Sequence, residues 1–408
     1  MKIAFITQWY DPEVGSAALP GAIVRALVRR GHSVEVITGF PNYPTGEIYA
    51  GYKVRPYSRE VIRGVTVHRV PLYPSHDGSA LRRVLNFLSF MLSVSSLGAL
   101  LARRGQVALV YSTPGTVGMA GLVLRRLLGR PFVLFIQDVW PDTVTATGML
   151  PARFVKPSEW LLHRFCNATY RAAGHIAVIS PGMKTLLLKR GVPADKVSVV
   201  FNWVDEEVFR PRHGKAREAS SPLEVMYAGN IGDVQGLDTA LRAVAAASAQ
   251  ADIVLRIIGT GVALESLIAL AAELDISDRV RFEGPRLLDQ MAEVMASADV
   301  QLVCLKDDPL FALTMPSKIQ AILACGRPIL TCAPGDAAAL SVESGAGWAC
   351  PAGDVEGLAR LMVEASRLSA RALADRGRAG RQFYESHLSA IAGSESLEIA
   401  LSKALETA

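Results

Sequence analysis

Ser317 and Lys318 sit in the run Thr314-Met315-Pro316-Ser317-Lys318-Ile319-Gln320-Ala321, which opens a helical pattern. A proline at a helix start gives up no needed N–H, and a serine oxygen can cap a free one. A lysine in that first turn opposes the macrodipole unless an anion joins it. Cation, hydroxyl and free N–H groups together make a phosphate cradle. Read alone, the run also fits an amphipathic helix whose lysine snorkels to water.

Other residue sets suggest chemistry of their own. Asp138 and Asp142 follow the strand-like run Pro131–Ile136 in Gln137-Asp138-Val139-Trp140-Pro141-Asp142. Two carboxylates four apart at such an edge suit acid–base work or sugar hydroxyls; a plain loop cap is the alternative for Asp142. Glycine-bearing loops join strand to helix at Asp11–Ala18, Gly229–Leu237 and Gly259–Leu264. Glycine there lets backbone approach a ligand, or simply makes a tight turn. None has the GxxxxGK[ST] pattern, which argues against a nucleoside triphosphatase. Gly259 and Gly261 give GxG without the third glycine, and Glu283 lies about where a ribose-binding acid would sit. That is a thin match to a nicotinamide site, and a tight turn is the plainer content. His76 and Asp77 lie in a Pro-, Ser- and Gly-rich loop that reads as solvated.

The elements that must carry these residues alternate between strand and helix almost throughout, as doubly wound parallel sheets do. Strands are expected near Lys2–Thr7, Ser33–Thr38, Val107–Ser112, Pro131–Ile136, His175–Ile179 and Val197–Phe201. After a charged, Pro-, Gly- and Ser-bearing break at Arg210–Pro222, the series restarts. Its strands are expected near Leu223–Ala228, Ile253–Ile258, Val280–Glu283, Val300–Leu305 and Pro328–Thr331. The reading is a first α/β domain over 1–205 and a second over 206–385. A helix over 386–408 packs back on the first domain. Ligands of such sheets bind at the carboxyl ends of strands, hence in a cleft between facing halves.

The 408 residues, half of them apolar, suffice for two cores, and the net charge is +5. Scattered arginine suits anionic small molecules or an anionic membrane face. Nucleic acid would ask for a denser basic stripe with aromatics, so no nucleic-acid partner is expected. The five cysteines have neither CxxC nor zinc spacing, so buried thiols in a reducing compartment are expected and no metal. The apolar run Ile3–Ile6 is too short for a signal-peptide core, which with the thiols points to the cytoplasm. Leu85–Leu101 carries no charge and lies between Arg82-Arg83 and Arg103-Arg104. It reads as an interfacial helix, a buried crossover helix or a span; Asn86, four serines and Gly98 count against the span.

Read in order, these pieces resemble the retaining glycosyltransferases of family 4, with their two-domain GT-B fold. The likeness rests on Gly31–Thr38, Pro41-Asn42-Tyr43-Pro44-Thr45-Gly46, Asp138-Val139-Trp140-Pro141, Asn202-Trp203-Val204-Asp205, Gly229-Asn230-Ile231 through Gln235-Gly236-Leu237, and Pro316-Ser317-Lys318. The subgroup it resembles builds colanic acid, O-antigen and capsule units, and includes fucosaminyltransferase-like members. The resemblance implies a nucleotide-diphosphate sugar donor, with UDP the expected nucleotide and an N-acetylated or deoxy amino sugar the expected group. It implies no cofactor and no metal requirement. The uncharged Leu85–Leu101 between its arginine pairs motivates a lipid-diphosphate-linked saccharide acceptor and peripheral contact with the inner membrane face. Gly15 and Ser16 would meet the donor phosphates from the first half. Gly229, Asn230 and Gln235 would occupy the matching loop, with Ser317 and Lys318 on the diphosphate. The base would rest near Gly259–Gly261 and Phe282–Gly284, and Asp138 would face the sugar or acceptor. The chain departs from the broad family at Gln137, where histidine is common, and at Asn230 and Gln235, where arginine and lysine are. Leu313 and Ala321 stand where two glutamates eight apart are usual. The competing readings are a nucleotide-sugar epimerase on the same fold, a nicotinamide-dependent reductase and a non-catalytic membrane-peripheral binding protein.

Overall fold

The computed structural model describes residues 1–75, 80–142, 152–212, 217–218 and 220–407. His76, Asp77 and part of the break at Arg210–Pro222 lie outside the described residues. The chain forms two compact units, Met1–Phe201 with Gly393–Ala408, and Asn202–Ala392.

The first unit holds β1 (Lys2–Ile6), β2 (Ser33–Thr38), β3 (Ser58–Ile62), β4 (Val65–Arg69), β5 (Val107–Ser112), β6 (Phe132–Ile136), β7 (His175–Val178) and β8 (Val197–Val199). They lie in the order β3-β4-β2-β1-β5-β6-β7-β8. All pair in parallel except β3 with β4. Every residue of β5 and β6 is buried. Helices cover both faces of such a sheet, so its central strands need continuous apolar runs. The last helix of the chain closes onto this unit through an ion pair from Arg30 to Glu398, and Arg125 donates to the carbonyl of Thr407 at 2.8 Å.

The second unit holds β9 (Leu223–Ala228), β10 (Ile253–Ile258), β11 (Val280–Gly284), β12 (Val300–Cys304), β13 (Ile329–Cys332) and β14 (Gly347–Cys350), in the order β11-β10-β9-β12-β13-β14. All its pairings are parallel. This is the doubly wound order whose direction reverses between β9 and β12, where the loops at the carboxyl ends part and leave room for a ligand. The five cysteines are free and buried.

The β3–β4 hairpin and β14 add to the strands expected from the sequence. β3 alternates half-buried and exposed residues at the sheet margin, and β14 is four residues long, so neither shows a sustained apolar run. The helix Leu81–Ala102 is the crossover from β4 to β5. Asn86, Phe90, Val94 and Gly98 face inward and are buried. Gln8 donates to the Asn86 side chain at 2.6 Å, and Asn86 donates to the Tyr73 carbonyl at 2.7 Å. Docking is therefore one-sided, and Leu81, Leu85, Leu88 and Leu92 point outward.

Candidate active site

In the second unit the loops after β9 and β10 lie backbone on backbone. Gly229 has φ +144° and Gly259 has φ +141°. A Cβ on Gly259 would stand 1.9 Å from the Gly229 carbonyl oxygen, so no other residue fits there. Gly261 abuts Ile231 in the same way, with 2.2 Å between a built Cβ and the Ile231 oxygen. Gln235 turns its side chain back into its own loop, where Oε1 accepts from the Gly232 N–H at 2.9 Å and from Asn230 Nδ2 at 3.4 Å. The Lys306 N–H, just beyond β12, donates to the Val234 carbonyl at 3.0 Å. Loops on both sides of the reversal are thus tied together.

Lys318 enters this place from the first turn of the helix Ser317–Ala324. Pro316 holds the cap position, Ser317 is exposed inside the first turn, and no side chain caps the helix. The expected serine cap is therefore absent, because proline already provides the extended residue before the helix. The Lys318 ammonium lies 3.9 Å from the centroid of the Tyr227 ring. A Cβ on Gly229 would stand 3.1 Å from Nζ. The Tyr227 hydroxyl is held in turn, donating to the Asn230 carbonyl at 2.6 Å. Burial lowers the Lys318 pKa to about 8, with the Cys304 thiol opposing that shift. Lys318 forms no ion pair or hydrogen bond among the described residues. A half-buried, unpaired cation beside uncapped N–H groups is a site prepared for an anion.

In the first unit Gly15, at φ +66°, starts a short turn that leads into the helix Leu19–Arg29. The loop before it is clamped from both sides. The buried Glu13 carboxylate accepts from the backbone N–H groups of Tyr10 at 2.9 Å, Asn42 at 2.8 Å and Tyr43 at 2.9 Å. Its pKa is raised by burial against the opposing pull of those N–H groups. Arg69, wholly buried, donates to the carbonyls of Asp11 at 2.7 Å and Gly39 at 2.8 Å and pairs with Glu60. Asp138 follows β6, accepts from the Thr113 hydroxyl at 3.3 Å, and has its pKa raised by burial.

Two family models match the chain. Residues 15–203 match the glycosyl transferase 4-like domain, and residues 222–367 match the glycosyl transferases group 1 domain. A Pseudomonas aeruginosa protein named as a glycosyltransferase, WbjE, is 30% identical over 70% of this chain and 72% of its own length. The chain belongs to the family 4 glycosyltransferases. Escherichia coli WcaI, named for glycosyl transfer in colanic acid biosynthesis, is 28% identical over 80% of this transferase and 82% of its own length. Anabaena HepE, solved with UDP-glucose, shares its fold with a TM-score of 0.63 at 15% identity over 98% of this chain and 99% of its own. The sucrose-phosphate synthase of Thermosynechococcus elongatus does so with a TM-score of 0.69 at 16% identity, covering 100% of both chains. The architecture of this transferase is GT-B.

The transferase gathers Gly229, Asn230, Gln235, Gly261, Ser317 and Lys318 at the carboxyl edge of its second sheet. Gly15, Ser16 and Asp138 lie at the same edge of the first sheet, although the side chain of Ser16 is outside the described residues. Asp142 pairs with Arg190, which also donates to the Trp140 carbonyl at 2.9 Å. Glu283 is not a free ribose acid. Arg256 grips it through two hydrogen bonds, of 2.6 and 3.1 Å, and holds its pKa below the usual range. Ala321, at the second of the family's usual glutamate positions, is buried. Sequence reasoning missed Tyr227, Glu13 and Arg69. Tyr227 is the penultimate residue of β9 and passes for core; only its place two residues before Gly229 hints otherwise.

Proposed function

We propose that this transferase moves a sugar with retention from a UDP-linked donor to a lipid-diphosphate-linked saccharide. The product is a growing O-antigen- or capsule-type polysaccharide, and the sugar is N-acetylated or a deoxy amino sugar. The observation that carries the reading is the unpaired Lys318 ammonium over Tyr227, beside the Gly229 loop and the open first turn of its helix. The names of the colanic acid relative and of the UDP-glucose-bound neighbour support it.

In the transfer, the bond from the sugar to the diphosphate breaks and its electron pair leaves with the phosphate. Lys318 and the N–H groups of residues 317 and 318 meet that charge, and preorganised donors of this kind act more strongly on the transition state than on the ground state. Asp138, its proton affinity raised by burial, serves the acceptor hydroxyl or the transferring sugar. Gly15 and Ser16 contribute to the phosphates from the first unit, and the base rests near Gly261. Lys318 takes the part a metal ion plays elsewhere, so excess EDTA leaves turnover unchanged; a loss restored by magnesium or manganese refutes that point. The enzyme works in the cytoplasm at the inner membrane face, a reducing place that suits its five free thiols.

A thermal-shift screen of UDP, GDP, TDP and their sugars tests the donor, because native-state ligands raise the melting point. UDP compounds are expected to give the largest shift. Transfer of labelled sugar to a lipid-linked acceptor, with the product's anomeric configuration read by NMR, tests the reaction. Isomerised donor without any acceptor would favour an epimerase instead.

A further inference from the structure

We propose that the outer face of the helix Leu81–Ala102 lies flat on an anionic lipid bilayer. Its purpose rests on the proposed lipid-linked acceptor, and its geometry on the helix itself.

Leu81, Leu85, Leu88 and Leu92 recur at helical spacing along one line, and the inward face is already docked on the sheet. Leu81 is 70% exposed, Leu92 66% and Leu100 50%, a large apolar outlay for a surface that meets only water. The helix has 22 residues, about 33 Å at the usual rise. Its inward bonds through Asn86 hold it against the body of the first unit, so it lies along a surface.

Charge selects the surface. Residues 78–137 contain seven arginines and no acidic residue. Arg82 at one end of the helix, and Arg103 and Arg104 at the other, are exposed. The adjacent helix Gly118–Leu128 adds the exposed Arg126 and Leu127. Leucines between arginine-bearing ends match a bilayer, whose apolar layer lies beneath anionic headgroups that arginine reaches by snorkelling. A second copy of the chain would bring the same basic ends and repel the first. Docking would also bear on the site loop, since the inward Asn86 is hydrogen-bonded to Gln8 just after β1.

Sedimentation with sucrose-loaded vesicles tests this on the full chain. The vesicles are phosphatidylcholine alone or mixed with phosphatidylglycerol, at low and high salt. Two variants accompany it, Leu88→Glu with Leu92→Glu, and Arg103→Glu with Arg104→Glu; all four side chains are exposed, so the fold is expected to hold. Binding to phosphatidylglycerol vesicles at least about tenfold above phosphatidylcholine, weakened by salt and lost at least about tenfold in each variant, supports the proposal. Absence of vesicle binding, variants that bind unchanged, or leucine-dependent self-association without vesicle binding overturns it. The nucleotide thermal shift separates the two readings. If the shift persists while vesicle binding fails, only the docking falls. If vesicle binding persists with no nucleotide shift, only the donor reading falls.

Discussion

The Lys318 ammonium sits over the Tyr227 ring at 3.9 Å from its centroid, in place of the carboxylate that usually answers a half-buried lysine. A ring face attracts a cation by its quadrupole, worth about 0.5–2 kcal/mol, and does not neutralise it. The charge is thus held in place and left available. The neighbouring glycine turn keeps side chains out of the space beside it, since Gly229 has only backbone to offer there.

Replacing Lys318 by methionine is expected to separate activity from stability. Turnover falls about a hundredfold or more, the scale of one lost oxyanion-type donor. The melting point of the ligand-free protein rises, because an uncompensated charge leaves a half-buried position. Steady-state kinetics and a melting curve check both. Wild-type turnover would remove Lys318 from the chemistry, and a lower melting point would show the cation to be structurally needed.

The pH dependence has a definite sign. The folded pKa of Lys318, about 8, lies below its ordinary value of 10.5. Between those values the native state holds fewer protons than the unfolded state, so this group's contribution to stability rises with pH across that window. A bound diphosphate favours the charged form, so binding above pH 8 takes up a proton. UDP affinity is expected to fall by up to about tenfold per pH unit as pH rises beyond that point. Calorimetry in buffers of different ionisation enthalpy reads the proton uptake directly; a pH-independent affinity from 7 to 10 refutes the linkage.

Much of this was legible in the sequence. Apolar runs separated by helical periods give both sheets, and the Pro-Ser-Lys run marks a helix start with a lysine in its first turn. The rest depends on residues distant in the chain. Glu13 meets Asn42 and Tyr43 about thirty positions away, and nothing local announces that those N–H groups converge on it. Glu283 looked free because its partner, Arg256, sits on the neighbouring strand β10, twenty-seven residues earlier. Arg69 reads as a surface arginine at a strand end, yet it is wholly buried, since two loops turn the carbonyls of Asp11 and Gly39 toward it and β3 adds the Glu60 carboxylate. Period and propensity report local structure, whereas these contacts belong to topology.

Asp138→Asn is expected to reduce kcat by about a hundredfold, within the range of a lost acid–base group. The nucleotide thermal shift should stay unchanged, because the residues assigned to nucleotide binding lie mainly on the second unit. A fall in nucleotide binding with normal kcat would move Asp138 from chemistry to donor binding.

Two substitutions at Glu13 give a graded test of how the first unit holds its site loop. In the native protein one carboxylate oxygen accepts from both Asn42 and Tyr43, and the other accepts from Tyr10. Glu13→Gln keeps an oxygen for the first pair and turns an amide N–H against the Tyr10 N–H. Glu13→Ala strips all three. A buried donor left without an acceptor costs about 1–3 kcal/mol. Amide exchange at Tyr10 is therefore expected to quicken about tenfold or more in both variants, and at Asn42 and Tyr43 only in the alanine variant. Turnover should fall in the same order, because Gly15 begins its turn two residues after the clamp and inherits its position. If all three amides stay equally protected in the alanine variant, the loop is held by Arg69 alone and Glu13 has no positioning role.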